Sequence, residues 1–155
     1  MSEEAIVPLS LAGHVLMRDH RSGLIVLDQE NLVVNAMYEL LIRGLTAEDN
    51  VARVHAVLSS GLPITKGLRT LGSPLLNVPV ESGGDAAPVK SVDQRGLRSI
   101  CTWTALLRPT GLVTYDSLGL VSKTGLLCAA TSFLPVTLSL NDIISVQWTI
   151  SLRGS

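Results

Sequence analysis

The feature that most narrows what this chain can fold into is a ten-residue stretch near its C-terminus where side-chain character alternates without a break. Ile144, Val146, Trp148, Ile150 and Leu152 fall on one face, and Ser145, Gln147, Thr149, Ser151 and Arg153 fall on the other. Successive side chains of a strand point to opposite faces, so the pattern demands a β-strand with one buried and one wet face. A slip of one residue would turn every apolar side chain to solvent, so the pairing of this strand is strongly specified.

Upstream segments read the same way. Two apolar runs, His14–Arg18 and Leu24–Asp28, flank the turn sequence Asp19–Gly23, where glycine accepts a positive φ, and a β-hairpin is expected there. Val51–Leu58 alternates as a strand with apolar residues on both faces. Leu97–Leu107 is a long run rich in β-formers, ended by a turn at Arg108–Gly111. Leu112–Val121 follows, with Gly119 marking a bulge or a close contact. Ser122–Gly125 turns the chain into a returning strand, Leu126–Phe133. Pro135 is expected to interrupt that strand, leaving Val136–Leu140 as a short edge piece before a turn at Asn141-Asp142.

One segment has helical spacing. Asn35 is placed as an N-cap, Met37, Leu40, Leu41 and Leu45 form a single apolar stripe, and Gly44 is placed to end the helix. Residues 59–96 are rich in glycine and proline and read as a long loop with one or two short strands. Residues 1–12 show no period and read as an N-terminal arm or edge segment. The expected fold is therefore mostly β: an antiparallel β-sandwich of jelly-roll or Greek-key type over residues 13–155, with one short helix and the Pro/Gly-rich loop at 59–96. Such a loop lies against something if ordered, and a neighbouring subunit is the expected support.

Composition bears on partners. Charged residues make up 16% of the chain, against about 25% in ordinary soluble domains, while 46% are hydrophobic. So little charge implies that other subunits cover part of the apolar surface. The formal net charge is −1 and aromatic residues are 3%, without a basic stripe, so no direct nucleic-acid contact is expected. The opening MSEEAIVPLS lacks the charged and apolar regions of a signal peptide, and no apolar run reaches the ~18 residues of a membrane helix. With no secretion signal, Cys101 and Cys128 are expected to be two reduced, buried small hydrophobes.

Each residue capable of chemistry has a plainer structural reading. His14, His20 and His55 are dispersed and lack metal-ligand spacing. Ser59-Ser60-Gly61 is a loop triplet, not a nucleophile elbow, and no cation neighbours either cysteine in sequence to activate a thiol. Glu48, Asp49, Glu81, Asp85, Asp93, Asp116 and Asp142 read as loop carboxylates and turn caps, and neither a calcium loop nor a phosphate loop is present. Ser82-Gly83-Gly84-Asp85 is a weak glycine-rich signal only. Trp103 and Trp148 lie on alternating strands among apolar or small residues and are expected in the core, the rival reading being a carbohydrate-stacking platform. No catalytic, cofactor-binding or metal-binding residue is assigned, and the chain is expected not to be an enzyme.

Both ends of the chain resemble small structural proteins of tailed-bacteriophage particles. The resemblance rests on Gly13–Asn31 as a leading hairpin, on Asn31–Ala36 before the helix, and on a closing pattern. In that pattern stand Leu118-Gly119-Leu120, Gly125-Leu126-Leu127, Thr131-Ser132-Phe133, Pro135, Thr137, Asp142 and Val146–Ile150. These motifs cover roughly half of the chain, and the stretch 59–96 departs from the family's pattern, which has a short strand after the helix. The resemblance implies a non-enzymatic virion component assembled in the bacterial host cytoplasm. The particular expectation is a capsid decoration (cement) protein, a homo-oligomer that binds the major capsid protein or other virion proteins and bridges capsid subunits. The alternatives are a neck, collar, baseplate or tail-fibre attachment part, or a carbohydrate-binding module. The loop at 59–96 and the arm at 1–12 are the expected contact surfaces.

Overall fold

The computed structural model describes residues 9–59, 64–80, 89–92 and 98–154. Among them run β1 (Leu9–Asp19), β2 (Ile25–Val33), α1 (Ala36–Leu45), β3 (Val51–Val57), β4 (Leu76–Pro79), β5 (Val89–Val92), β6 (Arg98–Leu107), β7 (Val113–Ser122), β8 (Leu127–Leu138) and β9 (Ile144–Gly154). The strands form one antiparallel sheet in the order β4-β3-β7-β8-β2-β1-β9-β6-β5. Its two ends curl towards each other, bringing β4 against β6, so the sheet nearly closes on itself. The expected mostly antiparallel β architecture with one helix is present.

The alternating C-terminal run is the spine of this sheet. β9 lies between β1 and β6 and keeps an unbroken register with both, from Leu9↔Gly154 to Asp19↔Ile144 on one side and from Arg98↔Arg153 to Leu107↔Ile144 on the other. Ile144, Val146, Trp148 and Ile150 are buried beside Val15 and Met17 of β1 and Ala105 and Leu107 of β6. These side chains share one continuous core with Val54 and Ala56 of β3, Tyr115, Leu118 and Leu120 of β7, and Leu127 and Ala129 of β8. The Tyr115 hydroxyl reaches Met17 Sδ at 3.9 Å, joining β7 to β1 through the interior. Phe133 stacks edge-on against the Tyr115 ring, centroids 5.7 Å apart.

The hairpin between β1 and β2 closes as expected, with Gly23 at φ 73. Several other expectations are corrected. Leu9–Ala12 are not part of an arm: they continue β1 and pair with β9, while residues 1–8 lie outside the described set. Pro135 does not end its strand. β8 continues to Leu138 because the register with β7 jumps from Ser117↔Ser132 to Tyr115↔Val136. Proline thus falls within a bulge, where β7 requires no ladder donor of it. The helix passes through Gly44, and the left-handed residue after it is Ala47, at φ 58. Asn35 stands at the N-cap position without a side-chain cap bond, while its amide N–H donates to the Lys66 carbonyl at 2.7 Å.

The long loop is partly ordered against the chain itself. It contains β4 and β5, and residues 60–63, 81–88 and 93–97 lie outside the described set. Its described stretch, 64–75, packs on the chain's own core through Ile64, Leu68 and Leu71. Leu127 N–H donates to the Arg69 carbonyl, 3.1 Å. Leu71 sits on Gly119, where a Cβ would come within 2.5 Å of its Cδ1, so the glycine marks the close contact anticipated there.

Candidate functional site: two apolar surfaces at opposite ends of the sheet

Candidate chemical residues stand apart. His14 on β1 pairs with Asp28 on β2, Nε2 to Oδ1 2.5 Å, on an open face where the two side chains are about half exposed. His20 is exposed in the first hairpin turn. His55 on β3 sits across from Asn77 on β4, and burial lowers its pKa against the raising effect of the Asn77 hydrogen bond. Among the described residues no three His, Cys, Asp or Glu side chains converge as a metal would need.

The thiols are not joined by a disulfide. Cys128 on β8 is buried, and burial, with Asp49 nearby, pushes its pKa up to about 12. Cys101 on β6 is half-buried rather than buried. Trp148 is fully buried, as expected of a core residue, although its indole Nε1 has no hydrogen-bond partner among the described residues. Trp103 stands directly opposite it on β6 and is only partly buried.

The carboxylates divide by environment. Asp142 accepts from the Ser139 amide at 2.7 Å and its hydroxyl at 3.0 Å, and these bonds lower its pKa as in a turn cap. Asp116 accepts the Ser59 amide at 2.8 Å and the Ser117 hydroxyl at 3.0 Å. Glu48 is exposed, and Glu81, Asp85 and Asp93 lie outside the described set, as do Ser60, Gly61 and the glycine pair 83–84. Asp49 differs from the solvated carboxylate expected of it, since it is 2% exposed. One oxygen accepts from Ser122 Oγ at 2.8 Å and from Thr124 Oγ1, and the other from the amides of Asn50 at 2.9 Å and Thr124 at 3.2 Å. Burial opposes its charge, but the Thr124 and Ser122 hydroxyls and the two amides outweigh it and hold the pKa below the ordinary value. Asp49 therefore clamps the corner between α1 and β3 to the β7–β8 turn. No local spacing in the sequence marks it, because Ser122 and Thr124, whose hydroxyls it accepts, lie more than seventy residues away.

What remains conspicuous is apolar surface. The expected single stripe on α1 is split: Ala36, Met37 and Leu40 are buried, whereas Leu41 and Leu45 are 39% and 82% exposed. With Tyr38 at 46% and Ile42 at 68%, these form a second stripe at i, i+3, i+4 and i+7. Polar positions occupy only one ridge, where Glu39 binds Arg43 at 2.6 Å and Arg69 at 3.0 Å. The Arg69 hydrogen bond leads the effects that lower the Glu39 pKa. Beside the helix an open groove of about 720 Å³ runs between α1, the start of β3 and β6, with Met37, Leu41, Leu45, Val51, Cys101 and Trp103 in its walls.

A second apolar surface lies at the other end of β1. β2 and β8 pair only at Leu32↔Ala130 and Val33↔Ala129 and then separate. In the crotch of this fork Gln29 Nε2 donates to Thr131 Oγ1 at 2.5 Å and to the Ser132 carbonyl at 2.9 Å. Leu24, Ile25 and Val26 on one prong and Leu134 on the other are all exposed, Leu134 at 86%.

The fold and these surfaces define a small β module with apolar area at two ends. In comparisons with known protein families, curated proteins and solved structures, nothing matches this chain. No helix among the described residues is long and apolar enough to cross a membrane.

Proposed function

We propose that the chain is a non-enzymatic structural component of a tailed-phage particle, acting as a decoration protein that stabilises the head by bridging capsid subunits. The observation that carries the reading is the pair of exposed apolar surfaces at opposite ends of one continuous sheet. Patches of this kind mark association sites, and a bridging protein needs at least two. The sequence resemblance at both ends of the chain supplies the phage context. In this reading the nearly closed sheet is flattened into a sandwich of the jelly-roll class, presenting α1 at one end and the β2–β8 fork at the other. The partners are the major capsid protein and further copies of the chain, the location is the virion, and stabilisation follows by linkage, since what binds only the assembled shell raises its stability.

The test is localisation and copy number in purified particles from the source that carries the gene. Antibody labelling or cryo-electron microscopy is expected to place the chain over the head, with quantitative mass spectrometry giving hundreds of copies. Density confined to the neck or tail, at about a dozen copies, overturns the decoration role in favour of a connector. Absence from particles overturns the virion reading altogether.

A further inference from the structure

We infer that the outer face of α1 is a two-fold interface between copies of this chain, the two helices packing antiparallel about an axis between Leu41 and Ile42. The inference deepens the reading above by assigning one of its two surfaces a partner.

A ten-residue helix apolar on its outer as well as its inner side is ordinarily covered on both. The outer stripe is self-complementary under a two-fold. Reversing the helix sets Tyr38 of one copy beside Leu45 of the other and Leu41 beside Ile42, the isologous arrangement in which each contact occurs twice. The exposed fractions of these four side chains, 46%, 39%, 68% and 82%, amount to on the order of 450 Å² per copy. That is roughly half of the ~800 Å² each partner buries in a standard interface. The open groove beside Leu41 and Leu45, with Val51 and Trp103 in its walls, adjoins the same face.

Charge agrees with this pairing and with no parallel one. Lys66 is exposed and held at the N-terminal end of α1, where its carbonyl accepts the Asn35 amide and where it lines a hollow with Tyr38. Glu48 is exposed just past the C-terminal end, three residues beyond Leu45. Antiparallel packing sets Lys66 of each copy at the end of the interface that holds Glu48 of the other, and the helix dipoles also oppose. A parallel arrangement would juxtapose like charges at both ends.

Sedimentation velocity on the purified full chain, from about 1 to 100 μM, is the test. A dimer is expected, and Ile42→Lys, a change at an exposed position, should leave a folded monomer with an unaltered far-ultraviolet spectrum. Lys66→Glu and Glu48→Lys should each weaken the dimer roughly tenfold, because each puts like charges together at both symmetry-related contacts. The Lys66→Glu/Glu48→Lys double variant should recover most of that loss. A native chain that stays monomeric, a dimer indifferent to Ile42→Lys, or a double variant no tighter than the singles would overturn the inference. A monomer that still decorates particles sinks only this interface, whereas a dimer absent from particles sinks only the virion reading.

Discussion

The two sides of this sheet are built by different means. On the β1–β9–β6 side the register runs without a shift along the whole length of β9, and every second residue from Ile144 to Ile150 is buried. On the β7–β8–β2 side the register breaks twice between β7 and β8, and β2 meets β8 at only two pairs. The regular side distributes its stability along a continuous ladder and one apolar face. The irregular side depends on a few point fastenings: Gln29 in the fork, Leu71 on Gly119, and Asp49 between the helix corner and the β7–β8 turn. Loss of one fastening should therefore be felt locally, whereas loss of a core side chain under the ladder should be felt by the whole sheet.

The largest expected effect tests the regular side. Trp148→Ala should destabilise by about 3–5 kcal/mol in urea unfolding, the usual cost of deleting a buried large aromatic. Trp103→Ala, directly opposite but at the groove, should cost about half as much, because less of its surface leaves water on folding. Equal costs would mean that the two tryptophans are not distinguished by burial. Trp148→Phe should come within about 1 kcal/mol of the native chain, since the lost contacts are offset by removing a buried N–H that has no partner.

Next comes the strongest fastening on the irregular side. Asp49→Ala should cost about 2–3 kcal/mol, as it strands the Ser122 and Thr124 hydroxyls and two amides. The pH dependence has a fixed sign. The folded pKa lies below the ordinary 3.8, so this contribution is complete above that value and fades as pH falls through the folded pKa. The stability gap between the native chain and Asp49→Asn should therefore be flat above about pH 5 and shrink at lower pH. A gap that widens on acidification would contradict the observed network.

This contrast explains how much of the molecule was legible in the sequence. Alternation is a local signal, so the last strand and the core position of Trp148 could be read directly from Ile144–Leu152. The helix was readable because Met37 and Leu40 share one period, yet its outer face was not, since nothing local separates Leu40, which is buried, from Leu45, which is open. Gly119 announced a close contact but could not name Leu71, nearly fifty residues earlier. Asp49 resembled any turn carboxylate, because Ser122 and Thr124 reach it only with the β7–β8 turn. The apolar surfaces were missed for the same reason: exposure is a property of what the rest of the chain leaves uncovered, and the loop at 64–75 proved to be occupied with its own core.

The smaller effects probe how tightly the irregular side is drawn. Gly119→Ala should cost about 1–3 kcal/mol, the range for overpacking, because the new methyl meets Leu71 and Leu127 side chains at 2.5 and 2.9 Å. Both obstacles are flexible leucine ends, which places the expectation in the lower half of that range. Pairing Gly119→Ala with Leu71→Ala should recover part of the loss, as a double-mutant cycle on urea midpoints would register. Strict additivity would mean that the loop does not press on β7.

Pro135→Ala should be the mildest change, within about 0.5 kcal/mol. The bulge leaves position 135 without a β7 partner, and the fork leaves this part of β8 unpaired with β2, so a restored N–H finds water rather than a ladder acceptor. The small effect expected is loss of the ring's restraint on the unfolded chain, which favours the native proline slightly. A stabilising Pro135→Ala would mean that the new amide had joined a ladder and closed the bulge. Amide hydrogen exchange would then show protection spreading through Phe133–Val136, and the irregular side would be irregular because of its proline rather than because of the unequal strand lengths it has to join.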